Sequence, residues 1–276
     1  MLLQILSDLH LETESFDPQP APGAELLVLA GDIDSTWQAY ERFAGWPVPV
    51  LVVAGNHEFD RRELDTAWPA LRDHCARYGL RLLEQEEVVH RARDGRLIRF
   101  LGTVRWSDFD LFGPAQRPRA LKAAGYFQKV MAATRAGQPL DAAAVRQEGL
   151  LCRAWLEQML RRQSPAGVAS AQAACDATVV ITHFAPSARS ADPRFGLQPG
   201  TASFCNADDD LIGLADLWIH GHLHARHDYT VPRVQPARGA PHPSPASALS
   251  RVVCQARGLE RKGETQGHDP TALVPV

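Results

Sequence analysis

The chain has 276 residues, of which 45% are hydrophobic, and a formal net charge of −3. This length can bury a large core, and the charge gives no electrostatic basis for binding nucleic acid or an anionic membrane surface. The five cysteines are widely spaced and include no CxxC pair. That spacing disfavours a disulfide framework and a cysteine-rich zinc site, and it is typical of proteins in a reducing compartment.

The N-terminal stretch MLLQILSDLH has no cationic start, and its apolar run is interrupted at Ser7 and Asp8. A secretory signal is therefore not expected, and no apolar run approaches the length that spans a membrane. We predict a cytoplasmic protein that binds neither nucleic acid nor membranes. The sequence leaves its oligomeric state open.

Short apolar runs recur along the chain, each bounded by turn-forming residues. They predict strands at 2–6, 25–30, 48–54, 178–182 and 217–219. Their near-continuous Val, Leu and Ile content is typical of strands buried on both faces. The segment 60–78 has apolar residues at helical spacing and predicts a helix with a kink or an early break at Pro69. The segment 88–102 predicts a β-hairpin, because Asp94 and Gly95 separate two strand-like arms.

Two further segments differ in composition from the rest of the chain. Residues 106–175 are rich in alanine, arginine and glutamine, and they predict helices at about 117–136 and 141–163. Residues 232–250 contain five prolines and predict a surface loop. Alternating strands and helices indicate an α/β layered core. We therefore expect a single domain over residues 1–276, with a helical insertion at about 106–175 and a proline-rich loop at about 232–250.

Each of the five strand-like runs leads into side chains of metal-binding types. Seven candidate ligands follow the runs: Asp8, His10, Asp32, Asn56, His183, His222 and His224. Because the carboxyl ends of strands in an open α/β sheet meet at one crevice, these side chains should converge. Residues two apart in an extended segment project to the same side, so the D-x-H and H-x-H pairs can each reach one ion.

The chemistry of these side chains limits the metals that suit them. Imidazole, carboxylate and carboxamide ligands together suit Mn, Fe, Zn or Ni better than Ca or Mg alone. Seven ligands are too many for one ion and suit two ions that share a bridging carboxylate. Each short motif arises by chance, but the ordered set at strand ends does not. The sequence therefore predicts a site for two divalent cations.

The ordered motifs D-x-H, G-D, G-N-H-E, H and G-H-x-H, over residues 8–224, resemble those of the calcineurin-like metallophosphoesterase superfamily. The stretches SDLHLE, WIHGHLH, SRVVCQARG and DPTALVPV are similar to a bacterial subgroup of stand-alone phosphoesterases. The resemblance implies an α/β fold in which a two-sheet β-sandwich is flanked by helices. It also implies one metal held by Asp8, His10 and His224, a second held by Asn56, His183 and His222, and Asp32 bridging both.

The resemblance further implies hydrolysis of a small phosphodiester or phosphomonoester by a metal-bridging hydroxide, with Mn favoured among the metals. Asp32 and His57 are the implied catalytic residues. His57 would assist the departing oxygen as a proton donor. Asp34 and Glu58 are the candidates to orient His57, and Asp34 is alternatively a turn residue or a helix cap.

Substrate contacts are predicted for Asn56, Arg189 and Arg194, although both arginines are alternatively exposed loop residues. His220, which precedes the G-H-x-H motif, is expected to be buried and to support the site rather than bind metal. The sequence GDIDSTW lacks the arginine of the GDxxDRG motif found in protein serine/threonine phosphatases, which counts against that activity. The alternative function is a catalytically silent member of the fold that acts as a protein-interaction module, which should have lost metal ligands.

Overall fold

Two β-sheets form the centre of the protein in the computed structural model, which describes residues 1–161, 175–234 and 248–276. The strands are β1 Leu2–Leu6, β2 Leu26–Ala30, β3 Val50–Val53, β4 Arg81–Leu82, β5 Glu86–Arg91, β6 Leu97–Gly102, β7 Thr134–Arg135, β8 Gln138–Pro139, β9 Ala177–Ile181, β10 Leu217–His220, β11 His227–Pro232, β12 Leu249–Cys254 and β13 Leu273–Pro275. The five predicted strands are all confirmed, with boundaries that differ by at most two residues.

The first sheet has the order β13-β1-β2-β3-β4 and the second has the order β11-β12-β10-β9-β6-β5. Strands β1 to β4 run parallel, and β13 pairs antiparallel with β1. In the second sheet β12, β10, β9 and β6 run parallel, with antiparallel strands at both edges. Strands β5 and β6 form the hairpin predicted around Asp94 and Gly95.

The two sheets pack face to face because their strands alternate between two buried surfaces. Side chains such as Ile5, Val28 and Val53 of the first sheet meet Val179 and Ile219 of the second in one cluster. The outer face of the first sheet packs against helices at Leu64–Arg77 and Ala142–Arg161 and the loops near them. The outer face of the second sheet packs against the end of the latter helix and a short helix at Asp209–Ile212. Both faces are therefore buried, as the near-continuous apolar runs predicted. The fold is the predicted α/β sandwich of two sheets flanked by helices.

The helices are α1 Leu64–Arg77, α2 Arg117–Ala123, α3 Ala142–Arg161 and α4 Asp209–Ile212, with one π-helical turn at Phe127–Met131. Helix α1 begins later than predicted and continues through Pro69, so of the two predicted alternatives, a kink or an early break, the break is wrong. Proline removes a single hydrogen bond near the first turn, and burial of Leu64, Leu71 and Cys75 against the first sheet outweighs that loss. Within the described residues, no helix is long and apolar enough to cross a membrane.

The predicted helix at 117–136 is only partly correct. Helix α2 ends at Ala123, and the π-helical turn that follows stops at Ala132, which has a φ of 50°. Phe127 of this turn is buried and packs on Phe109 and Phe184. Tertiary packing of one aromatic ring therefore overrides the helix preference of the surrounding alanines.

The helix predicted at 141–163 is confirmed as α3 over the residues that are described, and residues 162 and 163 lie outside them. The predicted loop at 232–250 is shorter than expected, because Pro232 ends β11 and Leu249 begins β12. Residues 235–247 lie outside the described residues.

Candidate metal centre

The candidate ligands lie on the loops that leave the carboxyl ends of β1, β2, β3, β9 and β10, at one end of the sandwich. Five of the seven have left-handed backbone conformations: Asp8 with φ 53°, His10 with φ 48°, Asp32 with φ 53°, His222 with φ 73° and His224 with φ 52°. Such conformations cost of order 1–3 kcal/mol per residue and persist where the surrounding structure requires them, typically at functional sites. The loops therefore hold these side chains in unusual directions.

Asp8, His10 and His224 form the first cluster, with their ligand atoms within 4.8 Å of one another. The Nε2 atoms of His10 and His224 lie 3.0 Å apart, and His224 Nε2 lies 3.6 Å from Asp8 Oδ1. Each imidazole is held at its other nitrogen: His10 Nδ1 lies 3.2 Å from Glu12, and His224 Nδ1 lies 2.7 Å from Glu264. Carboxylates in this position are typical of histidines that bind metal.

Asp32, His183 and His222 form the second cluster, again with ligand atoms within 4.8 Å. The clusters adjoin, since the Asp8 carboxylate accepts the backbone N–H of His222 at 2.9 Å. His183 Nδ1 donates to the carbonyl of Ala30 at 2.8 Å, so its Nε2 faces the cluster. Burial alone would raise the pKa of Asp32, but the neighbouring histidines hold it well below its usual range. This carboxylate is therefore ionised.

At the two clusters, two buried polar atoms of the described residues have no hydrogen-bond partner, and both are of types that bind cations. They are Asn56 Oδ1 and His183 Nε2, the latter 3.2 Å from Asp32 Oδ2 but not in hydrogen-bonding geometry. A buried polar atom without a partner costs about 1–3 kcal/mol. Bound cations would satisfy both atoms, and the oxygen and nitrogen donors suit transition metals. The residues therefore fit the predicted two-cation site.

The side chain of Glu58 joins the two ligand loops that follow β2 and β3. Its buried carboxylate accepts the backbone N–H groups of Gly55 at 2.6 Å, Asp32 at 3.0 Å and Ile33 at 2.8 Å. A side chain at Gly55 would overlap the Asp32 carboxylate, so only glycine permits this close approach. The Glu58 carboxylate thus positions Asp32, whereas Asp60 contacts the His57 imidazole, which corrects one of the two predicted orienting roles.

His57 lies beside both clusters and has three hydrogen-bond partners. Its backbone N–H donates to Asp32 Oδ1 at 2.8 Å. In its ring, Nδ1 lies 2.8 Å from Asp60 Oδ2, and Nε2 lies 2.7 Å from the hydroxyl of Tyr126. Burial lowers its pKa, but Asp32 and Asp60 outweigh that effect and raise it to about 10. Asp60 therefore has the orienting role that the sequence assigned to Asp34 or Glu58.

Of the two roles predicted for Asp34, the structure supports that of a turn residue or helix cap and not that of orienting His57. Its Oδ1 accepts from Thr36 N–H at 2.7 Å and its Oδ2 accepts from Ala39 N–H at 2.7 Å. Both bonds stabilise the short 3₁₀ helix that follows β2, as a capping carboxylate does. Asp34 is fully engaged in this turn and is not part of the metal centre.

A profile of the calcineurin-like phosphoesterase family matches residues 2–226 of the chain, most of its length. The chain belongs to the calcineurin-like phosphoesterase family. No curated protein matches the chain at a significant level. Together with the two side-chain clusters, membership of this family indicates a metal-dependent phosphoesterase.

The phosphoesterase has a cleft of about 600 Å³ above the two clusters, a size that suits a small ligand. Asp32, His57, His222 and His224 lie in its floor, and Tyr126 lies on its wall. Sequence analysis missed Tyr126, Asp60 and Glu264. Asp60 follows His57 at i+3, a spacing that brings side chains together in a helical turn. No sequence signal identifies the other two.

The two arginines predicted to contact substrate differ in position. Arg194 lines the cleft and is paired with Asp192 at 2.6 Å. Arg189 donates to the carbonyl of Thr230 at 3.0 Å and stacks on Tyr229, and it does not line the cleft. A substrate contact of Arg189 is therefore not favoured by the structure.

His220 has the supporting position that its sequence context indicates. It is fully buried and lies 2.9 Å from the hydroxyl of Ser190. Burial lowers its pKa to about 3, so the imidazole is neutral. It lies at the end of β10 and is buried beneath the loop that carries His222 and His224.

Proposed function

We propose that the chain is a phosphoesterase that uses two divalent cations, preferably Mn²⁺, to hydrolyse small phosphodiesters or phosphomonoesters. The observation that carries the proposal is the pair of adjoining clusters with two buried atoms that lack a hydrogen-bond partner, Asn56 Oδ1 and His183 Nε2. In a purely structural site, hydrogen-bond donors would be expected to satisfy these atoms, or apolar side chains would be expected in their place.

The residues divide between two cation positions in this proposal. Asp8, His10 and His224 would hold one cation, Asn56, His183 and His222 the other, and Asp32 would contact both. The bound cations would supply an activated water nucleophile and would neutralise charge on the phosphate oxygens. Glu12 and Glu264 orient the imidazoles of the first cluster and fix which nitrogen faces the cation.

His57 is the proposed proton donor to the departing oxygen. Its Nε2 faces the hydroxyl of Tyr126 on the cleft wall, and Asp60 holds its Nδ1. The Asp60 carboxylate at Nδ1 favours the protonated imidazole that a general acid requires. Arg194 and Lys262 line the same cleft and add positive charge that would attract a phosphate anion.

The alternative function is a catalytically silent interaction module. All seven candidate ligands and the proposed proton donor are present at the site. A scaffold released from catalysis has no physical need to retain strained ligand loops or unpartnered buried atoms. The intact donor set therefore favours the enzyme.

Hydrolysis of p-nitrophenyl phosphate and bis(p-nitrophenyl) phosphate by metal-stripped protein, with and without added Mn²⁺, tests the proposal. We expect Mn²⁺-dependent turnover and about two bound ions per chain in the wild type. Asp32→Ala should lose both, and His57→Ala should retain the ions and lower turnover of these activated esters only modestly. Asp17→Asn, which alters an exposed carboxylate bonded only to Gln19, is the control. Absence of both bound metal and turnover would favour the interaction module.

A further inference from the structure

A second cavity of about 290 Å³ opens beside the cleft of the metal centre, and we call it the side pocket. Phe195, Gly200, Phe204 and Leu223 line both cavities, so the side pocket is continuous with the cleft. The ring of Phe204 lies 5.0 Å from the imidazole of His222, a candidate metal ligand. A group in the side pocket would therefore lie one side chain away from the cation site.

The wall of the side pocket is apolar although it faces solvent. The exposed fractions of Phe195 and Phe204 are 67% and 42%, which is unusual for two neighbouring aromatic rings. Two polar side chains in the wall have partners: Asp192 is paired with Arg194, and the Thr201 hydroxyl accepts the backbone N–H of Gln198 at 3.1 Å. The side chain of Gln198 is the remaining polar side chain of the lining. The side pocket thus offers aromatic contact and few free hydrogen-bonding groups.

The volume of the side pocket suits one or two aromatic rings. An apolar cavity of roughly 150 Å³ accommodates benzene, and the side pocket has about twice that space. Aromatic pairs in edge-to-face or offset contact also stabilise a complex beyond the effect of the area that they bury. A sugar or a nucleobase would lose its hydrogen bonds to water in this wall without replacement.

We propose that the side pocket binds an aromatic hydrocarbon group of the substrate, so that the preferred substrates are aryl or arylalkyl phosphoesters. This inference rests on the proposed function, because the phosphate of the same molecule would occupy the metal centre. The apolar group adds binding energy in proportion to the surface that it buries.

Binding of three hydrolysis-resistant phosphonates to the Mn²⁺-loaded protein, measured by calorimetry, tests the inference. The probes are benzylphosphonate, cyclohexylmethylphosphonate and methylphosphonate. Burial of one ring should make benzylphosphonate bind about 10–100-fold more tightly than methylphosphonate. It should also bind a few-fold more tightly than cyclohexylmethylphosphonate, because of the ring–ring contacts.

Two variants test whether the side pocket is responsible. A Cβ added at Gly200 meets no heavy atom within 4 Å, so Gly200→Leu should fold and fill the side pocket. We expect it to reduce the benzyl-to-methyl affinity ratio at least about tenfold. Phe195→Ala should reduce the same ratio a few-fold. The matched controls are Ala143→Leu and Leu151→Ala, at exposed positions of α3, which should leave the ratio unchanged.

The outcomes separate the inference from the proposed function. Hydrolysis of the nitrophenyl esters together with equal affinity for the benzyl and methyl probes would overturn the inference alone. So would a ratio that neither Gly200→Leu nor Phe195→Ala changes. Equal affinity for the benzyl and cyclohexylmethyl probes would overturn the aromatic assignment. A protein that binds no divalent cation and hydrolyses neither ester would overturn the proposed function, and the inference with it.

Discussion

A substitution at Glu264 tests the metal centre, because Glu264 contacts the candidate ligand His224 but is not itself a candidate ligand. Its Oε2 lies 2.7 Å from His224 Nδ1 and accepts the N–H of Leu259 at 2.9 Å. Burial raises its pKa, but the hydrogen bonds to these groups outweigh that effect and lower it to about 2. The carboxylate is therefore ionised and strengthens His224 as a ligand at the opposite nitrogen.

Glu264→Gln keeps the size of the side chain and removes its charge. Loss of such a supporting carboxylate typically weakens metal affinity by about 10–100-fold, which corresponds to about 1.4–2.8 kcal/mol. We expect one of the two Mn²⁺ sites to weaken by that factor. Competition with a chromogenic chelator at fixed pH measures the affinity of each site.

Glu260→Gln is the matched control for Glu264→Gln. It removes the same charge from the same turn, and the side chain of Glu260 is 74% exposed. The reasoning would be refuted if Glu264→Gln bound Mn²⁺ within twofold of the wild type. An equal loss in Glu260→Gln would also refute it, because the effect would then come from net charge rather than from the contact with His224.

Three further predictions follow from contacts at and near the site. Tyr126→Phe removes the hydroxyl 2.7 Å from His57 Nε2 and should lower kcat/KM about tenfold at unchanged metal content. His57→Asn should lower kcat by about 10²–10⁴-fold for alkyl phosphoesters, and less for p-nitrophenyl esters, whose leaving group departs without a proton. Burial raises the pKa of Glu84 to about 7 in the folded protein. Between pH 4.5 and 7 the carboxyl group therefore ionises more readily in the unfolded chain than in the folded protein. The free energy of unfolding should therefore fall by at most about 3 kcal/mol as the pH rises from 4.5 through 7, and Glu84→Gln should remove this dependence in denaturant titrations.

The results that would contradict these predictions are specific. An unchanged kcat/KM in Tyr126→Phe would show that its hydrogen bond to His57 has no role in turnover. An equal loss of kcat for alkyl and p-nitrophenyl esters in His57→Asn would argue against proton donation. A slope of stability with pH that persists in Glu84→Gln would assign it to another group.

Local patterns in the sequence were sufficient to predict the strands, an α/β core and the candidate ligands, whereas the two-sheet sandwich was implied by the family resemblance. Apolar runs determine which segments become buried strands, and the residue that follows a strand necessarily lies at its carboxyl end. The seven candidate ligands all lie within a few residues of such an end. Their convergence therefore follows from the topology of the sheets, without any knowledge of loop conformation.

The contacts between distant segments were decided only by the tertiary structure. Tyr126 reaches His57 because Phe127 packs into the core and ends the predicted helix early. Glu264 reaches His224 from beyond the residues that the family profile matches. No local pattern encodes such pairs, because the distance between two remote side chains depends on how the whole chain packs. The sequence by itself thus determined the strands and the candidate ligands, whereas packing decided which groups orient those ligands and shape the cleft.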